Sequence, residues 1–404
     1  MRFLIIALSC VLTLVLQDDV AAQSRPAMGD GGVPDFYTWN QVLPSQAGKL
    51  LRSESLTAKQ SLASAGQNIR ILYTSVNTLN HHATAVSGAL FLPKGTPPRD
   101  GWPLLAWAHG TVGIADICAP SFAGRSPRDV AYLNHWLDQG YAVVATDYQG
   151  LGTPGPHPYF DYKATAYDLL DSIRAVQRGN FHVSKRVVLI GQSQGGGATL
   201  EAATNAKEYA PDLNIVGAVA TGVSVPNAAG KMVEHTNEVK HVLAYFLMAM
   251  NTAPLINPKI VPEDYVSEKA IPAFRIAQTQ CVAEIEHRIF VDHLTGANSF
   301  KKDVSPVVQA LMQVRRYARL DTTIPIFWGI GGKDIDSPTE GQFELVRKAC
   351  EVGDPVEWHL YPSFDHSATV IGSLPDSTVF VRNAFAGKPI VGNCATLPHL
   401  PPVL

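Results

Sequence analysis

Short apolar runs alternate with helix-like segments through much of the chain. Residues 103–109 and 141–147 are dominated by apolar side chains, and a glycine-containing stretch follows each run. Uninterrupted apolar runs of this length are typical of parallel strands that are buried on both faces of a sheet. Residues 130–140 and 167–178 instead show helical spacing of their apolar side chains. The alternation predicts an α/β fold with a mostly parallel central sheet covered by helices on both sides.

This alternation stops at about residue 223. Residues 224–320 carry no strong strand signal, and four prolines interrupt the interval between two helix-like segments, 239–250 and 304–317. We therefore expect one α/β core in two parts, 23–223 and 321–404, with a mostly helical cap inserted over 224–320. Further strands are predicted at 69–75, 85–92, 186–190, 215–221, 324–330 and 356–361, with a helix ending near 209 and a closing helix at 378–385.

The first 22 residues have the pattern of a secretory signal peptide. Met1 and Arg2 form a short positive start, residues 3–16 are apolar, and residues 20–22 form a small-residue cleavage site. The alternative is a buried N-terminal helix. The apolar stretch is shorter than the roughly 18–20 residues that a membrane span needs. We therefore expect an exported protein without a transmembrane span in its mature part.

The number of cysteines is consistent with an exported protein. Of the five cysteines, Cys10 lies inside the signal peptide and four remain after cleavage. Four cysteines in an exported chain indicate two disulfides, for which three connectivities are possible. No CxxC pair and no zinc-ligand spacing is present, so no metal site is expected. The remaining cysteines are Cys118, Cys281, Cys350 and Cys394.

Composition excludes two classes of protein. The 404 residues are 17% charged and 46% hydrophobic, which rules out a disordered chain. The 32 Lys and Arg residues are outnumbered by 35 Asp and Glu residues. Without a basic excess to neutralise phosphates, a dedicated nucleic-acid binder is not expected.

One motif carries candidate chemistry. Residues 191–195 read Gly-Gln-Ser-Gln-Gly, a G-x-S-x-G match that follows a β-branched strand and precedes a Gly- and Ala-rich helix. A strand, a sharp turn and a helix are what expose a serine hydroxyl above the sheet. This context predicts Ser193 as a nucleophile rather than a structural serine in a glycine-rich turn. A phosphate-binding loop fits less well because no Gly-Lys-Ser/Thr follows.

A serine nucleophile needs a histidine base and an acid that orients it. Asp334 follows the strand predicted at 324–330, and His366 follows the strand predicted at 356–361. The order Ser, Asp, His along the chain is the one this fold uses. Asp336 is the main competitor for the acid. The two other nearby candidates fit less well, since Asp365 reads as a loop residue and His359 lies within a strand.

Attack by a serine nucleophile creates a negatively charged oxygen on the substrate, the oxyanion, and this oxygen requires backbone N–H donors. The first is expected from Gln194, the residue after the nucleophile, and the second from the loop after an earlier strand. That loop begins at His109, and either Gly110 or Thr111 supplies the donor. We interpret His109 itself as a strand-end residue that holds the loop.

Five further segments bear on the family of the chain: 109–111, 118–121, 147–152, 157–159 and 194–196. Together with the serine motif and the order Ser, Asp, His, they resemble the secretory lipase family of α/β-hydrolases, found in yeasts and bacteria. The resemblance implies hydrolysis of carboxylic esters and triacylglycerols without a cofactor, a helical lid, and Ser193, Asp334 and His366 as the triad. It also implies disulfides Cys118–Cys281 and Cys350–Cys394. Gln192 departs from the histidine or tyrosine often found before the serine.

The functional hypothesis is a secreted serine esterase or lipase whose partner is an ester or lipid substrate, with a lipid–water interface as a further partner. Three alternatives remain: an esterase of acylated cell-wall polysaccharide whose cap grips sugar, a secreted serine peptidase on the same fold, and a non-catalytic sugar- or wall-binding protein. The apolar segment 241–250 of the cap is either an acyl-chain wall or a helix buried between cap and core. Burial is favoured because a helix that is apolar all round is usually buried.

Overall fold

The computed structural model describes residues 31–226, 236–317 and 320–398. The predicted signal peptide and Cys10 lie outside these residues. Within them, one sheet has the strand order β1-β2-β3-β5-β4-β6-β7-β8-β9. The strands are β1 (Leu50–Ser55), β2 (Ala65–Val76), β3 (Ala83–Pro93), β4 (Trp102–Ala108), β5 (Ala142–Thr146), β6 (Val183–Gln192), β7 (Asn214–Thr221), β8 (Ile326–Gly331) and β9 (Val356–Tyr361).

The sheet is mostly parallel, as predicted. The strands β5, β4, β6, β7, β8 and β9 pair in parallel in that order. The first three strands form antiparallel hairpins, and β3 joins β5 antiparallel. Because β6 to β9 are parallel neighbours, the loops that leave their carboxyl ends all emerge at one edge of the sheet.

Both faces of the sheet are buried. Along β6, Val187 and Leu189 belong to one apolar cluster, while Val188 and Ile190 belong to the cluster on the opposite face. This alternation explains why the strand reads as a continuous apolar run. The edge strand β1 has no such pattern. It pairs only with β2 and ends in exposed polar residues, so the hydrophobic pattern did not predict it.

Most core helices begin earlier than their apolar periodicity suggested. The N-cap Ser126 accepts a hydrogen bond from the backbone N–H of Asp129, and Asp161 accepts one from that of Ala164. The helix over 339–351 was not predicted. In the described residues the helices are α1 (Pro120–Ala123), α2 (Pro127–Asp138), α3 (Tyr162–Arg178), α4 (Gln194–Tyr209), α5 (Leu243–Met250), α6 (Ala253–Ile256), α7 (Ile271–Ile276), α8 (Val282–Val291), α9 (Gly296–Ser299), α10 (Ser305–Leu311), α11 (Thr339–Glu351), α12 (Ala368–Gly372) and α13 (Leu374–Phe385).

The insertion between β7 and β8 is helical, and its helices are shorter than predicted. α5 and α10 replace the longer segments expected at 239–250 and 304–317. Pro254 and Pro272 stand in the first turns of α6 and α7, so these prolines start helices as well as interrupting the segment. The predicted cap boundaries, 224 and 320, lie in the connections on either side of the helices.

The apolar helix α5 is buried between the other helices of the cap and the core. Its side chains are buried apart from half-buried Tyr245. The cluster that contains Phe246 and Leu247 also contains Tyr159 and Phe160 of the core. The helix therefore attaches the cap to the core, which is the arrangement that the sequence favoured. Over the residues described, none of the helices combines the length and the apolar character that a membrane crossing requires.

Candidate active site

Ser193 occupies a sharp turn between β6 and α4. Its backbone φ of 58° and ψ of −120° are unusual for a residue other than glycine. The turn is held by three backbone hydrogen bonds. The Ser193 N–H donates to Thr221 O over 3.0 Å, and Ser193 O accepts from the N–H of Gly197 over 3.0 Å and from that of Ser224 over 3.3 Å. Strain stored in a turn of this kind presents the side chain at the carboxyl edge of the sheet. The side chain of Ser193 is half-buried there.

The glycine two residues after Ser193 is required by packing. A Cβ atom on Gly195 would lie 1.9 Å from the carbonyl oxygen of Ala108 at the end of β4. Helix α4 therefore starts in direct backbone contact with the neighbouring strand. This contact accounts for the second glycine of the G-x-S-x-G motif.

Asp334 and His366 lie on the loops that follow β8 and β9. Oδ2 of Asp334 is 2.8 Å from Nδ1 of His366, and both side chains are buried. The carboxylate also accepts hydrogen bonds from the Ser337 backbone N–H over 2.8 Å and from Gln342 Nε2 over 3.0 Å. These donors hold the carboxylate in one orientation, so the imidazole that it contacts is oriented as well.

The serine and the histidine both lie beside the end of β7. Thr221 accepts the backbone hydrogen bond of Ser193, and the next residue, Gly222, faces the imidazole of His366. A Cβ atom on Gly222 would lie 2.9 Å from both Cε1 and Nδ1 of that ring. Gly222 also has a φ of +52°, in the left-handed region that favours glycine. Four neighbouring strand ends thus place Ser193, Asp334 and His366 at one edge of the sheet.

The other acidic and histidine candidates have different partners. Asp336 Oδ1 is 2.6 Å from Nε2 of His241 in the cap. Asp365 accepts the backbone N–H groups of Ser367 and Ala368 just before α12, which is the role of a capping residue. His359 is half-buried in β9, with its Nε2 3.0 Å from Glu357.

The pair between Asp336 and His241 shifts both pKa values. The hydrogen bond to Asp336 raises the pKa of His241 above its ordinary value of 6.5, although burial acts in the opposite direction. Burial by itself raises the pKa of Asp336. The hydrogen bond from His241 and the nearby imidazole of His366 outweigh burial and hold that pKa below its ordinary value of 3.8. The surroundings of this contact therefore favour a protonated His241 and an ionised Asp336.

Asp334, Asp336 and His366 place one potential ligand atom each within 4.8 Å of one another. A cation could use such a spacing. Oδ2 of Asp334, however, already bonds directly to the imidazole Nδ1 and to the amide of Gln342. We therefore interpret the group as a histidine held in place by a carboxylate.

The predicted oxyanion loop lies beside the serine. A Cβ atom on Gly110 would be 3.4 Å from Cβ of Ser193. Thr111 Oγ1 lies 3.5 Å from Oε1 of Gln194, the first residue of α4. The backbone N–H groups of this first turn have no partner within the helix, and the helix dipole is positive there. His109 is buried at the end of the strand, with its Nε2 3.2 Å from Asp147 O.

One side chain near Ser193 makes contacts that were not expected from the sequence. Arg128 in the first turn of α2 donates to Gln192 Oε1 over 3.1 Å and to Ser367 Oγ over 3.2 Å. It thereby links the residue before Ser193 to the residue after His366. These groups are 64 and 239 positions from Arg128, so no local pattern could have indicated the contact.

Within the described part of the chain two disulfides are present, Cys118–Cys281 and Cys350–Cys394. They are the pairs that the family resemblance implied. The first joins the core to the cap. Beside it, Gly113 pairs with Cys281 in an isolated β-bridge, three residues after Gly110. This disulfide therefore restrains the cap close to the oxyanion loop.

The mostly parallel sheet, the serine turn and the helical insertion define an α/β-hydrolase. A family model described as "Secretory lipase" matches residues 126–393. The chain belongs to the secretory lipase family, and it is a carboxylic ester hydrolase.

Individual proteins agree with this assignment. A secreted triacylglycerol lipase of Malassezia globosa is 24% identical over 381 residues, covering 86% of this chain and 80% of the relative. Candida antarctica lipase A in its closed state has a TM-score of 0.72 at 20% identity, over 92% of this chain and 90% of that structure. A rice cell wall degrading esterase from Xanthomonas oryzae has a TM-score of 0.66 at 18% identity, over 85% of this chain and 99% of that structure.

Proposed function

We propose that the protein is an exported serine lipase or esterase in which Ser193, His366 and Asp334 form the catalytic triad. The observation that carries the proposal is the 2.8 Å hydrogen bond between Asp334 and His366 at the strand ends where the strained turn holds Ser193. A buried carboxylate on Nδ1 of a histidine leaves Nε2 to act as the base.

The reaction follows from these positions. His366 takes the hydroxyl proton as Ser193 Oγ attacks the ester carbonyl, and the resulting oxyanion is stabilised by the backbone N–H of Gln194 and one from Gly110 or Thr111. The C–O bond to the alcohol then breaks, and His366 returns the proton to the leaving alcohol. Water attacks the acyl-enzyme by the same steps and releases the acid and free Ser193.

We propose acylglycerols with an apolar acyl chain as the substrate class. The family and the named activity of the Malassezia globosa relative support this choice. The cap adds an apolar cluster that reaches Tyr159 and Phe160 of the core, close to Thr111. An esterase of acylated wall polysaccharide is the second candidate, since the Xanthomonas oryzae esterase shares the fold.

The catalytic serine is tested by Ser193→Ala, with Ser53→Ala on the exposed end of β1 as the matched control. We expect Ser193→Ala to lose hydrolysis of p-nitrophenyl esters and labelling by an organophosphate, and Ser53→Ala to keep both. Activity retained by Ser193→Ala would refute the triad. An inert wild-type protein that binds polysaccharide would support the non-catalytic alternative.

The substrate class is tested by a chain-length series of p-nitrophenyl esters, with and without an emulsified lipid. An optimum at long chains with activation by the lipid supports the lipase. A short-chain optimum together with release of acetate from acylated xylan supports the polysaccharide esterase. Cleavage of amide substrates in preference to esters would support the peptidase.

Export is also part of the proposal. It is supported by membership of a secretory family and by two disulfides, which persist in oxidising compartments. Sequencing of the N-terminus of the protein recovered from culture medium should give a chain beginning at Gln23. Retention of the protein with residues 1–22 attached would contradict export by this signal.

A further inference from the structure

The side chain of Gln194 is buried and held at both ends. Its Nε2 lies 3.0 Å from Nε2 of His157, and its Oε1 lies 3.5 Å from Oγ1 of Thr111. These side-chain contacts are separate from the backbone hydrogen bonds that hold the turn at Ser193. Both attach the residue whose backbone N–H faces the expected oxyanion to other parts of the core.

The partners determine the tautomer of His157. Its Nδ1 is 2.9 Å from the carbonyl oxygen of Gln149, which can only accept, so Nδ1 carries the proton. Nε2 is then a lone-pair acceptor, and it faces the amide nitrogen of Gln194, which can only donate. Burial lowers the pKa of His157 to about 4, so the ring is neutral near pH 7.

The same reasoning orders the hydroxyl groups on the other side of Gln194. Oε1 of Gln194 can only accept, so Thr111 donates to it. The hydroxyl of Tyr159 lies 2.7 Å from Thr111 Oγ1, and we assign it as the donor there because Thr111 has one hydroxyl proton and gives it to Gln194. The hydrogen bonds run from Tyr159 to Thr111, to Gln194 and to His157 without a conflict between donors and acceptors.

The first and last members of this row of hydrogen bonds, Tyr159 and His157, both belong to the loop 148–159. Other contacts anchor that loop to the core. The backbone N–H of Gln149 donates to Asp168 Oδ2 over 2.9 Å. The Tyr148 ring stacks on His157 at 6.0 Å, and the Tyr148 hydroxyl donates to His109 O over 2.9 Å. One loop therefore contacts both peptide segments that carry the proposed oxyanion donors.

We propose that His157 and Tyr159 are positioning residues of the oxyanion hole: His157 holds Gln194, Tyr159 holds Thr111, and the loop 148–159 sets the distance between the two backbone donors. The inference rests on the proposed function, because it assigns a role within that site. It also gives a function to the segments 147–152 and 157–159, which the triad does not use.

Misplacing an oxyanion donor has a characteristic kinetic effect. Such donors stabilise the charge that develops in the transition state, and the loss of one lowers kcat about 10²- to 10³-fold. Loosening a donor without removing it should cost less, about 10- to 100-fold. KM should change little, since the ground-state carbonyl gains less from these donors.

The experiment compares His157→Leu, His157→Gln and Tyr159→Phe, with Tyr209→Phe as the control. Tyr209 is a tyrosine whose hydroxyl donates to Asp171 over 2.6 Å, and it lies at the opposite end of α4 from Ser193. His157→Gln offers an acceptor close to the position of Nε2. We expect kcat to fall about 10- to 100-fold in His157→Leu and less in Tyr159→Phe, with partial recovery in His157→Gln.

A second readout separates positioning from loss of packing. Affinity for a trifluoromethyl ketone, which forms a tetrahedral oxyanion on Ser193, should fall in parallel with kcat. NMR of ¹⁵N-labelled histidines should show His157 as the neutral Nδ1–H tautomer at pH 6, in wild type and in Ser193→Ala.

The outcomes distinguish the two proposals. If Ser193→Ala retains activity, the proposed function is wrong. If Ser193→Ala is inactive but His157→Leu and Tyr159→Phe keep the wild-type kcat and ketone affinity, only the positioning role is wrong. Protonation of His157 at pH 6, or an Nε2–H tautomer, would also overturn the positioning role.

Discussion

Nε2 of His241 lies 2.6 Å from Oδ1 of Asp336, and this contact joins the cap to the loop that carries Asp334. Both partners are partly buried, and Tyr245 and Glu286 lie near them in the cap. Since Asp336 is two residues from Asp334, the cap is attached directly beside the proposed triad. The pair therefore holds the cap against the loop that carries Asp334 and Asp336.

The contribution of this pair to stability should depend on pH. The raised pKa of His241 gives a contribution that is complete below its ordinary value of 6.5 and is lost as pH rises through the raised value. The lowered pKa of Asp336 gives a contribution present above 3.8 and lost as pH falls through the lowered value. The contribution is therefore greatest between these two ordinary values. His241→Gln should cost about 1–2 kcal/mol at pH 5 and less at pH 9, measured by urea unfolding.

Asp334 and Asp336 should differ sharply when each is replaced by Asn. Asp334→Asn removes the charge that orients and stabilises the protonated His366, and kcat should fall about 10³–10⁴-fold. Asp336→Asn leaves the bond between Asp334 and His366 in place and should retain most of the activity. Steady-state kinetics on one ester gives the comparison. The reverse ranking would identify Asp336 as the acid.

Gly222→Ala should damage the site through one contact. The added Cβ would meet the His366 ring at 2.9 Å, so the imidazole must move and kcat should fall. The positive φ adds a backbone cost of about 1–2 kcal/mol. Gly353→Ala is the matched control, because Gly353 also has a positive φ but no atom within 4 Å of the added methyl. Equal effects of the two substitutions on kcat would contradict this role of Gly222.

The two disulfides should have different consequences. Replacing either pair by alanines should cost about 2–4 kcal/mol of stability, since they close loops with sequence separations of 163 and 44. Only loss of Cys118–Cys281 should also lower kcat, because that disulfide lies beside the loop of Gly110 and Thr111. Unfolding curves and kinetics below the unfolding transition test both expectations. A loss of kcat confined to the variant lacking Cys350–Cys394 would be the opposite result.

The sequence by itself determined the fold class, the serine turn and the positions of Asp334 and His366. All three depend on local patterns: apolar runs buried on both faces, glycines around one serine, and polar residues directly after strands. Because parallel strands send their carboxyl ends to the same edge, the order of residues along the chain was enough to place the candidates together. The disulfide pairing came from the family resemblance instead.

Only the tertiary structure decided which side chains contact one another across the site. Asp334 forms a hydrogen bond with His366, whereas Asp336 forms one with His241, which lies 95 positions away. Gln194 meets His157 across 37 positions. Such pairs leave no periodic signal, because each depends on how the strand order and the loop conformations bring distant segments into hydrogen-bond distance. Local patterns determine the elements, and the packing of those elements determines the partners.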